Sequence, residues 1–492
     1  MRKLVLIFLS LALFAASQKL LPNTKILYRD KPKPATTLDE FFTNSRLYLR
    51  LRSHYIAWDW DKEDAKRKDN WGYGIGGSLI FKSAWVHGWG ATIGFYTSQN
   101  PWHMKRDEIG FVKSGKDTFS RYKVAKGDGF GMRVVAQSYL EYTNKTLDFK
   151  LGRQTFDSML VKANDSKMIP NCFEGVSFKG STAGLDYKLA YFTHQKLRDK
   201  TFFHDVITFG KDLDGDGVLE GYEKWANNDD AGVNKALNAV NLAHAGKSTH
   251  NRLIITEATT SHDTLTTTLN ATLVPGLFGL LAIEPKLRID MGSAKLVQQL
   301  RYIRQIDLGA KDVGRRGIAI ANLKGDATGY KNPYSLWGWL FNARIDYLPK
   351  ESFWWVRLGY SQTGDRADIV DPWRGFPTGG YTRAMAQYNW YANTKSWMGR
   401  VVVNLDRAKL IPGLWASLRY EIEDFDDAKP GVQADVRCLN LDLFEKVPHI
   451  DGLFVKLRIG ITKGSSTTRD MTGHLKADPS FKELRFEINY LL

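Results

Sequence analysis

Arg46, Tyr48, Arg50, Arg52 and His54 interleave with Leu47, Leu49 and Leu51. A guanidinium is a flat, permanently charged fork that matches carboxylates, and a spacing of two places every such fork on one side of an extended chain. The same alternation puts Arg288 between Leu287 and Ile289, Arg344 between Ala343 and Ile345, and Arg357 between Val356 and Leu358. Arg419 lies between Leu418 and Tyr420, and Arg458 between Leu457 and Ile459. The chemistry open to such rows is weak, reversible anion binding. More than half of these arginines are expected to pair with acids such as Asp290, Asp346, Glu421 and Glu487. The remainder should stay unpaired, with Arg50, Arg52, Arg344, Arg357 and Arg419 the leading candidates and Arg153 and Arg383 behind them.

A second set is Asp212, Asp214, Asp216, Gly217 and Glu223, which fits the EF-hand calcium-loop pattern position by position. Three short carboxylates at alternating positions converge on one hard cation. Val218 would offer its carbonyl, Glu220 a water-mediated contact and Glu223 a bidentate carboxylate. A structural Ca2+ clip is the expectation, and an acidic, solvated loop is the alternative. No catalytic constellation is visible: His54, His87, His194, His204 and His262 are scattered and none adjoins a nucleophile motif. Cys172 and Cys438 form no metal motif, and either one disulfide or two free thiols is compatible with their positions.

The elements that carry these residues read as strands. Met1–Arg2–Lys3, an apolar run from Leu4 to Ala16 and small residues around Ser17 make a secretory signal over 1–17. Residues 18–44 read as an irregular periplasmic segment. From 45 onward, short alternating stretches recur, and the last of them, Leu484 to Leu492, ends at the final residue. An arginine facing lipid at mid-membrane would cost about 2–4 kcal/mol, so the leucines should face lipid and the arginines the interior. Candidate strands are 45–57, 73–82, 87–97, 131–142, 146–155, 175–182 and 185–197. They continue at 264–274, 280–291, 294–306, 317–324, 336–348 and 353–363, and then at 395–406, 412–423, 433–445, 452–463 and 480–490. Residues 251–263 fit either a strand or a loop. Short turns at 83–86, 183–184, 275–279 and 349–352 should share the periplasmic end. Long loops at 98–130, 198–250, 364–394 and 464–479 should lie outside.

The fold expected is therefore all-β: a transmembrane antiparallel β-barrel of eighteen strands over 45–492, in the outer membrane. Aromatics make up 13% of the chain, and tryptophans near strand ends (Trp89, Trp337, Trp354, Trp390, Trp397) suit the headgroup level. The formal charge of +16 falls by two once Arg2 and Lys3 leave. Export excludes nucleic acid as a partner and leaves acidic lipid headgroups and small anions.

Two blocks carry a family resemblance. Gly152–Arg153–Gln154–Thr155–Phe156, Asn164–Asp165–Ser166–Lys167–Met168–Ile169–Pro170 and Phe173–Glu174–Gly175 form the first. Asp371–Pro372–Trp373–Arg374–Gly375–Phe376–Pro377 and Tyr381–Thr382–Arg383 open the second, which continues through Gln387–Tyr388–Asn389–Trp390 to Asp424–Phe425–Asp426–Asp427. Together they resemble the OprD family of outer-membrane porins, in particular its Campylobacterota branch. The resemblance implies eighteen strands, a basic ladder along one lumen wall, and an inward loop that narrows the channel, here at 157–174. That loop would bring Asp157, Lys162, Asp165, Lys167 and Glu174 opposite the arginine wall and set a transverse field. Lys167 stands where that family commonly has arginine, Cys172 is unusual for it, and the extracellular insertion 198–250 is long. The function expected is passive diffusion of small hydrophilic solutes, leaning to carboxylated or zwitterionic ones. The alternative is an adhesin or envelope-anchoring protein without an open channel. Outer-membrane lipids are the expected surroundings, and both a monomer and a homotrimer are open.

Overall fold

The computed structural model describes residues 18–21, 26–112, 115–208, 223–225, 237–310, 336–383, 385, 387–430, 432–465 and 467–492. Eighteen strands make one closed antiparallel barrel. The first seven are β1 Arg46–Trp60, β2 Asn70–Lys82, β3 Trp89–Gln99, β4 Met132–Thr143, β5 Leu147–Gln154, β6 Cys172–Thr182 and β7 Leu185–Lys196. The middle six are β8 Leu253–His262, β9 Leu265–Val274, β10 Phe278–Asp290, β11 Ala294–Asp307, β12 Gly338–Pro349 and β13 Trp354–Thr363. The last five are β14 Lys395–Asn404, β15 Leu414–Asp424, β16 Val436–Lys446, β17 Leu453–Gly464 and β18 Phe481–Leu491.

The wall follows from the alternation. Leu51 is 48% exposed on the outer face of β1 while Arg50 and Arg52 beside it are each 3% exposed. Ile93, Leu140, Leu269, Leu358 and Leu418 continue the apolar outer belt on other strands. Closure removes the edges that an open sheet would leave, so the strand backbones pair within the wall as a bilayer demands. β18 pairs with β1 from Phe481 opposite Trp60 to Leu491 opposite Arg50. Leu492 extends the seam by exchanging both main-chain hydrogen bonds with Leu49, at 3.0 and 2.8 Å. This is the fold of an outer-membrane barrel. No helix of the described residues is long and apolar enough to cross a membrane.

The eighteen are not quite the expected set. Residues 253–262 form a full strand, β8, whose alternation is blurred because Thr256, Ala258 and Thr260 occupy the outward face. The expected strand at 317–324 lies outside the described residues. The presence of β8 reverses the expected direction of β9, β10 and β11. The turn at 275–277 therefore belongs to the long-loop end, and 263–264 and 291–293 join the short-turn end. Ala183 and Gly184 both take positive φ, +49° and +78°, as a two-residue hairpin requires.

At the short-turn end, two short strands, Gln18–Leu20 and Ile26–Tyr28, pair across the barrel mouth. Helix α1, Leu38–Asn44, comes next, capped by Thr37 and Glu40. The Tyr28 ring packs at a tilt against Tyr48, 4.5 Å between centres, and Asp30 holds Arg46 at 2.6 Å. Trp89, Trp337, Trp354 and Trp397 face outward as expected, but Trp390 is fully buried inside the barrel. Cys172 and Cys438 are both free and buried.

Candidate functional site: an off-axis lumen

Two loops enter the lumen from well-separated parts of the wall. Residues 155–171, between β5 and β6, cross inward, and residues 364–394, between β13 and β14, come to meet them. They lock at an antiparallel bridge between Val161 and Arg374, with the Lys162 amide donating to the Trp373 carbonyl at 3.0 Å. Gly375 permits the crossing: a Cβ there would lie 2.2 Å from the Leu160 carbonyl oxygen. Only the first loop was anticipated as inward. The second reads as an outer loop in sequence, yet Trp373, Tyr381 and Trp390 are among the most deeply buried side chains.

Behind this junction the lumen is filled. Phe156, Leu160, Val161, Phe173, Phe192, Ile255, Ile369, Trp373 and Trp390 form one apolar core inside the barrel. Val206, Ile207, Leu237 and Leu242 of the insertion after β7 join it. On the other side a cavity of about 1050 Å³ remains, and its strand residues come from β1–β5 and β14–β18 only. Ile26, Tyr28, Lys82 and Trp415 line it near the short turns, and Trp60, Pro479 and Phe481 near the long loops. It thus runs along one wall from end to end.

The charge of that cavity is one-sided. Among the described residues its lining holds twelve lysines and arginines and four aspartates. Arg400, Arg419, Lys456, Arg458 and Arg485 supply the wall of β14–β18, and Arg374 and Arg383 come from the second loop. Register sets arginines side by side in two runs, Arg357 opposite Arg400 and Arg400 opposite Arg419, then Arg458 opposite Arg485, with Asn440 and Asp442 of β16 between them. Like charges directly opposite each other disfavour the sheet, so another gain must retain them. Arg400 donates to Ser417 at 2.8 Å and lies over the Trp355 and Trp415 rings. Arg383 lies 3.7 Å from the Phe376 ring centre. Neither guanidinium has a carboxylate within ion-pair distance among the described residues.

The leading candidates from sequence are all inside the barrel, and all five have partners. Arg50 and Arg52 both grip Asp165, at 2.8 and 2.9 Å, and Arg52 also approaches Glu487 at 3.7 Å. Arg357 clasps Asp346 through two hydrogen bonds, at 2.5 and 2.7 Å, and Arg344 lies 3.8 Å from the same acid. Arg419 approaches Glu421 at 3.6 Å and Asp442 at 3.7 Å, and Arg458 binds Asp442 at 2.6 Å. Several also tie down the second loop. Arg344 and Arg357 donate to the Gly380 carbonyl at 3.0 and 2.9 Å, Arg301 to that of Pro377 at 3.1 Å, and Arg419 to that of Arg383 at 2.8 Å. Arg288 is exposed near the short turns and donates to Thr266.

The loop set divides similarly. Asp157, Lys162, Asp165 and Lys167 line the cavity, but Asp165 is held by Arg50 and Arg52 rather than facing cations across a gap. Asp157 accepts from the Ala163 amide at 2.9 Å. Glu174 lies beyond the loop, in β6, paired with Arg153 at 2.7 Å. Burial holds Lys162 and Lys167 below the ordinary lysine range. Arg485 presses Lys167 further down, whereas Asp157 and Asp117 pull Lys162 and Lys167 respectively the other way.

The calcium expectation is corrected. No group of three His, Cys, Asp or Glu side chains that could hold a metal ion is present among the described residues. Of the expected ligands only Glu223 is described, while Asp212, Asp214, Asp216, Val218 and Glu220 lie outside those residues. Glu223 is buried in the single turn Glu223–Trp225, which packs on neighbouring loops: Arg121 lies 4.0 Å from the Trp225 ring centre, and Lys200 donates to the Trp225 carbonyl.

No family model matches the chain, and no curated protein matches it. Solved structures do. OccAB3 of Acinetobacter baumannii superposes with a TM-score of 0.67 at 14% identity, covering 92% of this chain and 99% of its own. OccK9 (OpdG) of Pseudomonas aeruginosa gives 0.66 at 14%, with the same 92% and 99%. OpdK of Pseudomonas aeruginosa, solved with vanillate, gives 0.62 at 14%, again over 92% and 99%. The shared feature at such identity is the eighteen-stranded fold.

Proposed function

We propose that the chain is a passive outer-membrane porin of the OprD kind, not an enzyme, and that it favours small carboxylated or zwitterionic solutes. The off-axis cavity carries this reading: it runs along one wall between the two ends of the barrel, and cations outnumber acids in its lining by three to one. A carboxylate sliding along β14–β18 meets Arg400, Arg419, Arg458 and Arg485 in turn. Each contact can be exchanged for the next, and binding stays weak enough for exit. The acids that could compete are already engaged, Asp442 by Arg458 and Asp165 by Arg50 and Arg52. OpdK, solved with vanillate, is a barrel of this fold bound to a carboxylate, which supports the same solute class here. The OprD-like motifs in both inward loops support the family and are the only support for its Campylobacterota branch.

The test is a planar-bilayer recording of the purified protein across a KCl gradient. Discrete conductance steps, an anion-selective reversal potential and partial block by small carboxylates are expected. A protein that inserts and gives no steps would instead be an envelope or adhesive barrel.

A further inference from the structure

The outer wall carries a feature that the lumen does not use. Leu189, Thr256, Ala271, Leu281 and Arg304 form one register row across β7 to β11. Thr256, Ala271 and the adjacent Ala258 are short, while leucines and Tyr302 stand higher on both sides. The result is a trough of about 520 Å³ on the lipid-facing surface, lined almost wholly by apolar side chains. That volume is in the range of ligand sites, roughly 300–1,000 Å³.

Arg304 forms its rim, three residues before β11 ends at the long-loop side. It points outward, with its guanidinium 5.5 Å from the centre of the Trp337 ring. No carboxylate lies within ion-pair distance of it among the described residues. Lys463 and Lys482, outward cations elsewhere on the wall, meet Asp61 and Asp59, whereas the exposed Arg437 of β16 has no such partner among the described residues. A lone cation beside hydrocarbon is costly, and a phosphate at headgroup level would satisfy it with charge-assisted hydrogen bonds. We propose that the trough seats one acyl chain of a phosphorylated membrane lipid whose phosphate is bound by Arg304. The charge selects the headgroup, and the run of short side chains selects a slender chain over a second protein surface.

Native mass spectrometry of the full chain in detergent, titrated separately with short-chain phosphatidic acid and the matching diacylglycerol, tests this. The wild type should retain phosphatidic acid about tenfold better than diacylglycerol. Arg304→Gln should erase that preference, and Arg437→Gln, an exposed arginine on β16 away from the trough, should keep it. Ala258→Trp or, should that variant not fold by heat-dependent gel mobility, Ala271→Phe should lose retention of both lipids. Equal behaviour of the two arginine variants, retention unchanged in the filled trough, or no lipid retained by the wild type would overturn the proposal. So would a dimer or trimer peak abolished by filling the trough, which would make this face a contact between copies.

Discussion

Arginine does two different jobs in this lumen, and position along the wall decides which. Arg344 and Arg357 share the Gly380 carbonyl and the Asp346 carboxylate, so they hold a loop. Arg400 meets a hydroxyl and two rings and, under the proposed function, is the one that addresses solute. Charge-assisted hydrogen bonds contribute about 1.5–3 kcal/mol each, so Arg344→Ala with Arg357→Ala should free the loop 364–394. Larger, noisier single-channel steps are the expected outcome, whereas Arg400→Ala should leave step size nearly intact and lower anion selectivity. Asp165→Asn should act in the opposite sense on selectivity. It leaves Arg50 and Arg52 charged without their acid, and the reversal potential should shift toward anions. Titration gives a further check. Lys162 and Lys167 are held below the usual 10.5, so raising the pH toward that value removes lumen charge early. The sign for folding is the reverse of a salt bridge: the charged form is the disfavoured one, and stability rises as each lysine deprotonates. Anion selectivity should therefore weaken with alkalinity while thermal stability does not fall. Lys162→Met with Lys167→Met should flatten the pH response, and a flat response in the wild type would refute the assignment.

At the level of elements, the strands were legible and the lumen's contents only partly so. Lipid contact imposes a local rule, one apolar residue in every two, and β1, β5, β15 and β18 obey it openly. β8 was ambiguous because threonine and alanine on its outer face weaken the contrast. An inward loop was expected at 157–174 from its motif, and residues 155–171 are the ones that enter the lumen. The loop 364–394 was not, because its burial comes from residues far away in sequence: Trp373 packs on Phe278 and donates to the Val206 carbonyl at 3.0 Å. A signal was present, since Trp373, Tyr381 and Trp390 are poor choices for a solvated loop. Pairing of Arg50 and Arg52 was likewise invisible, because their acid, Asp165, arrives from a loop more than a hundred positions on. If the two loops form one fixed gate, Val161→Cys with Arg374→Cys should oxidise readily and leave conductance unchanged. A fall in conductance on oxidation would mean that the bridge between them opens during passage.

The barrel as a whole depends on its last strand. β18 pairs with β1 from Phe481 to Leu491 and Leu492 adds one more pair, so the seam is comparable in length with the internal ladders. Leu484→Arg would put a cation into hydrocarbon beside that seam, at a cost of about 2–4 kcal/mol near mid-membrane. Reduced heat-resistant, folded protein in outer-membrane fractions is the expected readout, with the lumen-facing Glu483→Gln as a folded comparison. The bulk charge hinted at a basic lining, but not at its confinement to part of the lumen. The packed half of the lumen, built on Phe156, Phe192 and Trp373, is what confines the open half to β1–β5 and β14–β18.

That confinement has a bearing on how a dipolar molecule would travel. The guanidinium groups cluster on β14–β18, while the facing flank mixes tyrosines and glutamine (Tyr96, Gln137, Tyr139) with Lys82 and Lys150, so the arginine-bearing stretch has a preferred azimuth. An amino acid in that stretch would keep its acid end turned to the same staves, like a bead on a rail rather than a tumbling sphere. Mirror-image forms of such a molecule would then present different side groups to the tyrosine flank and cross at different rates.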